Sequence, residues 1–384
     1  MRQERDDRVL GRNTLARETR LSEWVVEWWE RYIRVPGRPG NTLENYERPI
    51  NDYIAGQIGD LPMIDLTPPR IAEWRDDLLD EGVGKSAVKR AMVVLSSCLG
   101  RAVERGLCPT NPCNGVRKPS PGVKSRNKNW RVSPEEIEWL RKEFLDYRAP
   151  NSGAWIALRS ATLVAVMGYA GLRPEEAMGL KVEHYQDRER ALIVEDVYAA
   201  EHRVGDTKTH DGGRVVRLQD ALAEDLRLWI DVLDESNPRA WLFPSEPGGE
   251  VTRSTHTNWT ARPWKRARGA VVADRPEFAR TLGDAKPKDL RAAFVSLLAR
   301  AGRPDADIAE ETGHTIEVLR KHYLGTIKRL RGLPVLPEGE QIRLAREKAG
   351  TSDVAQALRR ELLADATRPK IRLVEPNPAA SSQV

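Results

Sequence analysis

Tyr323 stands at the end of the stretch Gly313-His314-Thr315-Ile316-Glu317-Val318-Leu319-Arg320-Lys321-His322-Tyr323, nine residues after the histidine of a Gly-His pair and among basic side chains. A phenol ionises near pH 10 and is a poor nucleophile at neutral pH. A tyrosine that attacks phosphorus therefore needs cations around the target phosphate that favour its anion. Three basic clusters precede it: Gly171-Leu172-Arg173-Pro174-Glu175-Glu176, Thr207-Lys208-Thr209 and Lys288-Asp289-Leu290-Arg291. Singly, each has an ordinary reading as a packed tyrosine, a structural ion pair or a solvated lysine. Their order is suited to phosphoryl-transfer chemistry, and the expectation that follows is DNA strand breakage and rejoining.

Each candidate carries a reason of its own. Arg173 follows an apolar helical stretch ended by Gly171 and precedes Pro174-Glu175-Glu176, so it falls where one helix stops and another starts. A helix N-terminus with a guanidinium beside it can hold two oxygens of one phosphate. The competing reading pairs Arg173 with Glu175 or Glu176; Glu176 can also serve to orient it. Lys208 lies just before the turn sequence His210-Asp211-Gly212-Gly213, where a long amine can be delivered into a cleft and protonate a leaving oxygen. Lys288 and Arg291 are three apart at the start of a helix, a spacing that lets both project from one polar face. Arg291 also falls between Leu290 and Phe294, among core-side positions, where an arginine without a carboxylate is costly unless an anion arrives. Thr315 caps the last helix of the set, placing His314 just before it and Tyr323 two turns in.

The elements that must position these residues are mostly helical. Leu21, Trp24, Val25, Trp28, Trp29 and Tyr32 recur at spacings of three and four, a second helix starts at Asn41 or Thr42, Thr67-Pro68-Pro69 opens a third, and Ser86 caps a fourth that ends at Gly106. Residues 21–116 thus read as a small helical bundle behind a flexible polar arm, residues 1–20. Residues 117–132 form a basic interdomain linker with Arg117, Lys118, Lys124, Arg126, Lys128 and Arg131 and no acidic residue; the expectation is a strap across DNA phosphates, the alternative a solvated connection. A second domain, 133–330, opens at the capped start Ser133-Pro134-Glu135-Glu136, continues into a helix over 154–169, and contains strands at 191–194 and 215–218 joined through the glycine turn. The fold class is mainly α with a small β-sheet or hairpin in the second, mixed α/β domain. Residues 331–384 form an extension. Leu330, Leu333, Val335 and Leu336, or Val354, Leu358, Leu362 and Leu363, either dock on a neighbouring copy or fold back, and the proline-containing tail from 367 is expected to be disordered in part.

At 384 residues the chain exceeds what one core usually serves. Lys+Arg 62 against Asp+Glu 57 gives a net charge of +5, compatible with a polyanionic partner but modest, so the distribution of charge matters more than its total. No run of 18 apolar residues exists and the start is strongly charged, so a cytoplasmic, nucleoid-associated location without membrane contact is expected. Cys98, Cys108 and Cys113 are odd in number and close together, which argues against a disulfide framework; lacking a nearby histidine, Cys108 and Cys113 read as ordinary thiols. Neither a complete Walker-type loop nor an HExxH motif is present, so no cofactor or metal is expected.

Over residues 21–330 the chain resembles the tyrosine recombinases of the phage integrase family. The resemblance rests on Ala170-Gly171-Leu172-Arg173-Pro174-Glu175-Glu176, Thr207-Lys208-Thr209, Asp289-Leu290-Arg291, Gly313-His314 and Tyr323, and on Asn111-Pro112-Cys113 closing the first domain before the linker. It implies an N-terminal core-binding, SAM-like helical domain and a catalytic domain. It also implies attack by Tyr323 to give a 3′-phosphotyrosyl link, stabilised by Arg173, Arg291, Lys288 and His314, with Lys208 protonating the 5′ oxygen and Glu176 in support. Its partners would be double-stranded DNA at core-type sites and a homotetramer on synapsed DNA, with accessory DNA-bending or directionality proteins possible. The family usually has histidine where Lys288 stands, and residues 1–20 are too short for a separate arm-site DNA-binding domain. The rival readings are a non-catalytic DNA-binding protein on the same fold, such as a repressor or architectural factor, and a topoisomerase-like relaxing enzyme.

Overall fold

The computed structural model describes residues 19–38, 40–120, 131–147, 153–198, 204–206, 213–251 and 257–366. Residues 1–18 of the arm, the linker cations Lys124, Arg126 and Lys128, Lys208, most of the turn at 210–213, and the tail from 367 lie outside them. The chain divides into two compact units, residues 1–126 and 127–384.

The first unit is built of helices. α1 (Leu21–Trp28) winds into a wider π turn over Trp29–Ile33. α2 (Gly40–Pro49) passes through a π segment, Ile50–Ile54, into a last turn, Ala55–Ile58. α3 (Pro68–Asp80) starts where the Thr67 side chain accepts from the Arg70 amide at 3.4 Å, with proline where no helical N–H is needed. α4 (Lys85–Glu104) begins at Gly84 without a side-chain cap, so Ser86 lies inside its first turn and does not cap it as expected. Trp24, Trp28 and Trp74 fill the core; the indole N–H of Trp24 donates to the Cys98 carbonyl and that of Trp74 to the Tyr53 carbonyl, each at 3.1 Å. These bonds satisfy the polar end of side chains that otherwise bury only carbon. Cys98, Cys108 and Cys113 are free and buried here, and burial pushes all three thiols up, Cys108 to about 11 and Cys113 to about 12.

The second unit is organised around one helix. α5 (Pro134–Asp146) is fixed by a reciprocal cap: Ser133 accepts from the Glu136 amide and Glu136 from the Ser133 amide. α6 (Gly153–Tyr169) is buried all round from Ala157 onward, as a helix without a polar stripe must be. Leu158, Leu163, Val164, Val166 and Met167 are each at most 2% exposed, and each contributes roughly 1.5–3 kcal/mol by leaving water. The chain then turns at Gly171, whose φ of +64° and whose missing Cβ, 2.3 Å from a Phe294 ring carbon if present, both require glycine. α7 (Pro174–Met178) follows at once.

Next come β1 (Tyr185–Gln186), β2 (Ala191–Val194), β3 (Asp196–Tyr198), β4 (Val204–Asp206) and β5 (Arg214–Arg217). β1, β2 and β5 form an antiparallel sheet in that order, with Leu192 opposite Val216 and Val194 opposite Arg214. The expected pairing of the 191–194 and 215–218 segments is therefore present, but it encloses a second hairpin, β3–β4, that alternation did not reveal. α8 (Asp220–Leu233) and α10 (Leu290–Arg300) pack on α6, α9 (Lys265–Asp274) packs on α5, and α11 (Asp305–Thr312) and α12 (Ile316–Arg331) pack on α10.

The extension supplies α13 (Glu338–Ala349) and α14 (Thr351–Ala366). The sequence left open whether these helices dock on a neighbouring copy or fold back; within this chain they pack on α5 and α8 of their own unit. The reason is electrostatic as well as apolar. Arg346 of α13 reaches Glu138 and Asp225, which also hold Arg141 at 2.7 Å each, and Thr351 donates to Glu138. All four charged side chains are at most 7% exposed, and buried charges persist only when paired.

Candidate active site

Three segments that are remote in sequence, around Arg173, Arg214 and Arg291, meet at Glu176. Its carboxylate is 2% exposed and receives three arginines: Arg173 at 2.5 Å, Arg214 at 2.7 Å and Arg291 at 3.2 Å, plus the Arg173 amide at 2.8 Å. The short helix α7 makes this possible, because a capping box places the third residue of the helix back over the cap. Burial alone would push the Glu176 carboxyl up, but the Arg214 bonds, the Arg291 charge and the Arg173 amide overcome it and hold the group at about 2.

Arg291 is therefore not the unpaired guanidinium that its core-side position suggested. Besides Glu176 it donates to the Gly171 carbonyl at 3.0 Å and to the Thr312 carbonyl. Burial, with Arg173 and Arg214 nearby, draws it down to about 10, and Glu176 opposes that effect. Three guanidinium charges still face one carboxylate. The side chain of Arg173 is half-exposed whereas those of Arg214 and Arg291 are largely covered, so the cluster presents a net positive face through Arg173.

Gly313 ends α11 in the left-handed region at φ +58° and turns the chain toward α12, which Thr315 caps by accepting from the Val318 amide at 3.2 Å. That turn sets His314 beside the arginines, its ring centroid 5.6 Å from that of Tyr323. Burial first, then Arg291, Arg173 and Arg214, lower His314 to about 4, so its imidazole is neutral at pH 7. The Thr312 hydroxyl spends its one hydrogen on the Ile308 carbonyl and so accepts from Nδ1 of His314 at 2.8 Å. Nε2 is then left as a lone pair.

Arg173, Glu176, Arg291, His314 and Tyr323 thus come together. Lys288 does not join Arg291 on one polar face: it sits on a 3₁₀ turn, Pro287–Asp289, is exposed, and has no hydrogen bond or ion pair among the described residues, while Arg291 is buried in α10. Of the linker cations, Arg117 and Lys118 are exposed in the first unit, and Arg131 lies against α12 in the second. Arg214 was missed. Its signal was present in β5, where Arg214 shares a face with the fully buried Val216 while Val215 and Arg217 point outward, so an arginine occupies an inward register.

Comparison with known proteins gives these residues a family. Residues 138–325 match the model of the phage integrase family, and residues 20–79 match the N-terminal SAM-like domain of phage integrases. The integrase of Mycobacterium phage FRAT1 is 27% identical over 306 residues, covering 78% of this chain and 83% of that protein. The ICEBs1 integrase of Bacillus subtilis is 24% identical over 284 residues, covering 71% and 70%. Among solved structures, the Tn1549 transposon integrase in complex with transposon right end DNA superposes with a TM-score of 0.64 at 16% identity, covering 81% of this chain and 98% of that one. A lambda integrase dimer bound to a COC′ core site gives 0.58 at 19% identity, covering 84% and 80%. With both units matched, and with Arg173 and Arg291 on Glu176 and His314 beside Tyr323, the chain belongs to the phage integrase family of tyrosine site-specific DNA recombinases.

Proposed function

We propose that this chain cuts and rejoins duplex DNA at a specific site with Tyr323 as nucleophile, integrating or excising a mobile element. The observation that carries the reading is the meeting of Arg173, Arg214 and Arg291 on one buried carboxylate, with a neutral histidine between them and a tyrosine. The scissile phosphate binds at the exposed side of Arg173. Tyr323 Oη forms a bond to phosphorus, the bond from phosphorus to the 5′ oxygen breaks, and the phosphate stays on the 3′ side as a phosphotyrosyl ester. The Nε2 lone pair of His314 takes the phenol proton. Lys208 gives a proton to the departing 5′ oxygen, and Lys288 adds a cation at the rim. The energy of the broken ester is kept in the new one, so the reverse attack by a 5′ hydroxyl rejoins a strand. Fixed guanidinium donors in a partly dry site are the main source of rate, and one such donor is worth about 3 kcal/mol by comparison with an oxyanion hole.

The solved relatives support the choice of partner: Tn1549 integrase is seen with transposon DNA and lambda integrase as a tetramer on a Holliday junction. We assign this chain the same kind of partner, duplex DNA, and assembly of four copies on two duplexes, with DNA-bending or directionality proteins as accessory factors. Among the described residues no helix is long and apolar enough to cross a membrane.

Covalent trapping tests the reading. Wild type and Tyr323→Phe are incubated with nicked duplexes tiled from the DNA flanking the gene and resolved on denaturing gels. An adduct from wild type alone, with duplex affinity within about two-fold between the two proteins, is the expected result. Adduct formation by the phenylalanine variant would remove Tyr323 from its role, and binding without any adduct would favour a DNA-binding protein that lacks catalysis.

A further inference from the structure

Arg131 was read from the sequence as one of six linker cations lying across phosphates. In the structure it lies beside the Tyr323 ring. Its guanidinium carbon sits 5.2 Å from the centroid of the Tyr323 ring, and Nη2 donates to the carbonyl of His322 at 3.1 Å. Its Nε is buried and has no hydrogen-bond partner among the described residues. Arg131 immediately precedes Val132, which is 3% exposed, and Ser133, the cap of α5, so its backbone is tied to a rigid element on one side. The side chain thus spans from the start of α5 to two consecutive residues of α12, one of which is Tyr323.

We infer that Arg131 is a positioning residue for the nucleophile, a deeper account of the same site that rests on Tyr323 being the attacking group. Two contacts define its task. The hydrogen bond to the His322 carbonyl holds the turn of α12 that carries Tyr323, in the middle of a helix whose flanking residues Lys321, His322, Leu324 and Gly325 are exposed. The cation over the ring restricts rotation of a tyrosine that is itself only half-buried. His314 flanks the same ring, so Arg131 and His314 together leave the phenol few orientations. Attack on phosphorus demands a narrow approach, and a reacting group held near that approach reacts faster than one that must find it. A lysine cannot do both jobs, because a point ammonium lacks the planar fork that lets one nitrogen hold a carbonyl while the plane covers a ring.

The phosphate strap and the positioning role differ in what they predict for Arg131→Gln. The assay is single-turnover adduct formation at saturating nicked duplex, alongside duplex affinity at several salt concentrations and the thermal midpoint, with Arg131→Lys in parallel. Positioning predicts that Arg131→Gln slows adduct formation roughly ten-fold or more, a loss of the size expected when a reacting group is misplaced, with affinity, salt slope and midpoint unchanged. Arg131→Lys should recover part of the rate. A phosphate contact predicts the opposite pattern, a salt slope smaller by about 0.9 with the saturated rate intact, and that result overturns the inference. A fall in rate that tracks a fall in midpoint, with no recovery by lysine, also overturns it, as does a rate equal to wild type. If wild type itself forms no adduct, the assignment of Tyr323 fails first, and it does so in the control lane.

Discussion

Replacing Glu176 by glutamine keeps the size and the oxygen that accepts from the Arg173 amide, and removes only the charge that three arginines share. Two routes give the magnitude. A carboxyl held at about 2 rather than 4.5 is more stable in the folded state by roughly 3 kcal/mol. Independently, taking one partner from a buried ion pair costs about 3–5 kcal/mol, and both Glu176 and Arg291 are covered, at 2% and 6%. The expected loss in urea unfolding at pH 7 is therefore about 3 kcal/mol. The sign with pH follows from the lowered value: the contribution is complete above about pH 4.5 and is lost as pH falls toward 2, so the wild-type and variant curves should converge in acid. The variant also leaves Arg173, Arg214 and Arg291 without their counter-ion, so inorganic phosphate at constant ionic strength should stabilise it more than it does wild type. A loss under about 1 kcal/mol, or a constant gap between the two curves down to pH 2, would refute this account of the cluster.

His314 should titrate near pH 4 in the free protein when its ring protons are followed by NMR. Because the folded value lies below the ordinary 6.5, stability should decline as pH falls through that interval, and bound duplex should raise the midpoint by supplying negative charge; a free-state midpoint above 6 would contradict the burial argument. Lys288→His, at an exposed position without a partner among the described residues, should change stability by less than about 0.5 kcal/mol and preserve or raise cleavage if the side chain only helps to hold phosphate. Abolished cleavage would show that the lysine has a chemical task of its own. Arg346→Met should cost about 3–5 kcal/mol by leaving Glu138 and Asp225 with Arg141 alone, and adding Glu138→Leu should recover part of it in denaturant titrations; additive losses would argue against a shared network.

What could be read along the chain was whatever depends on neighbours in sequence. Thr67, Ser133 and Thr315 announce helix starts because a cap acts over three residues. The apolar run before Gly171 announces a fully buried helix, and Arg173, Arg291, His314 and Tyr323 announce themselves by motif. The tertiary structure decided what depends on distance across the fold. It alone could show that Glu176 balances three arginines, since its partners lie 3, 38 and 115 residues away. It separated Lys288 from Arg291 although they are three apart, because the backbone changes from a 3₁₀ turn to an α-helix between them, leaving Lys288 outward and Arg291 buried. It also brought Arg131 to His322, next to Tyr323, across 191 residues of chain, and packed the extension on its own unit through Arg346. Capping and periodicity are short-range and leave their record in sequence. The pairing of buried charges is long-range, and one arginine in a sequence does not say which carboxylate, carbonyl or ring will meet it.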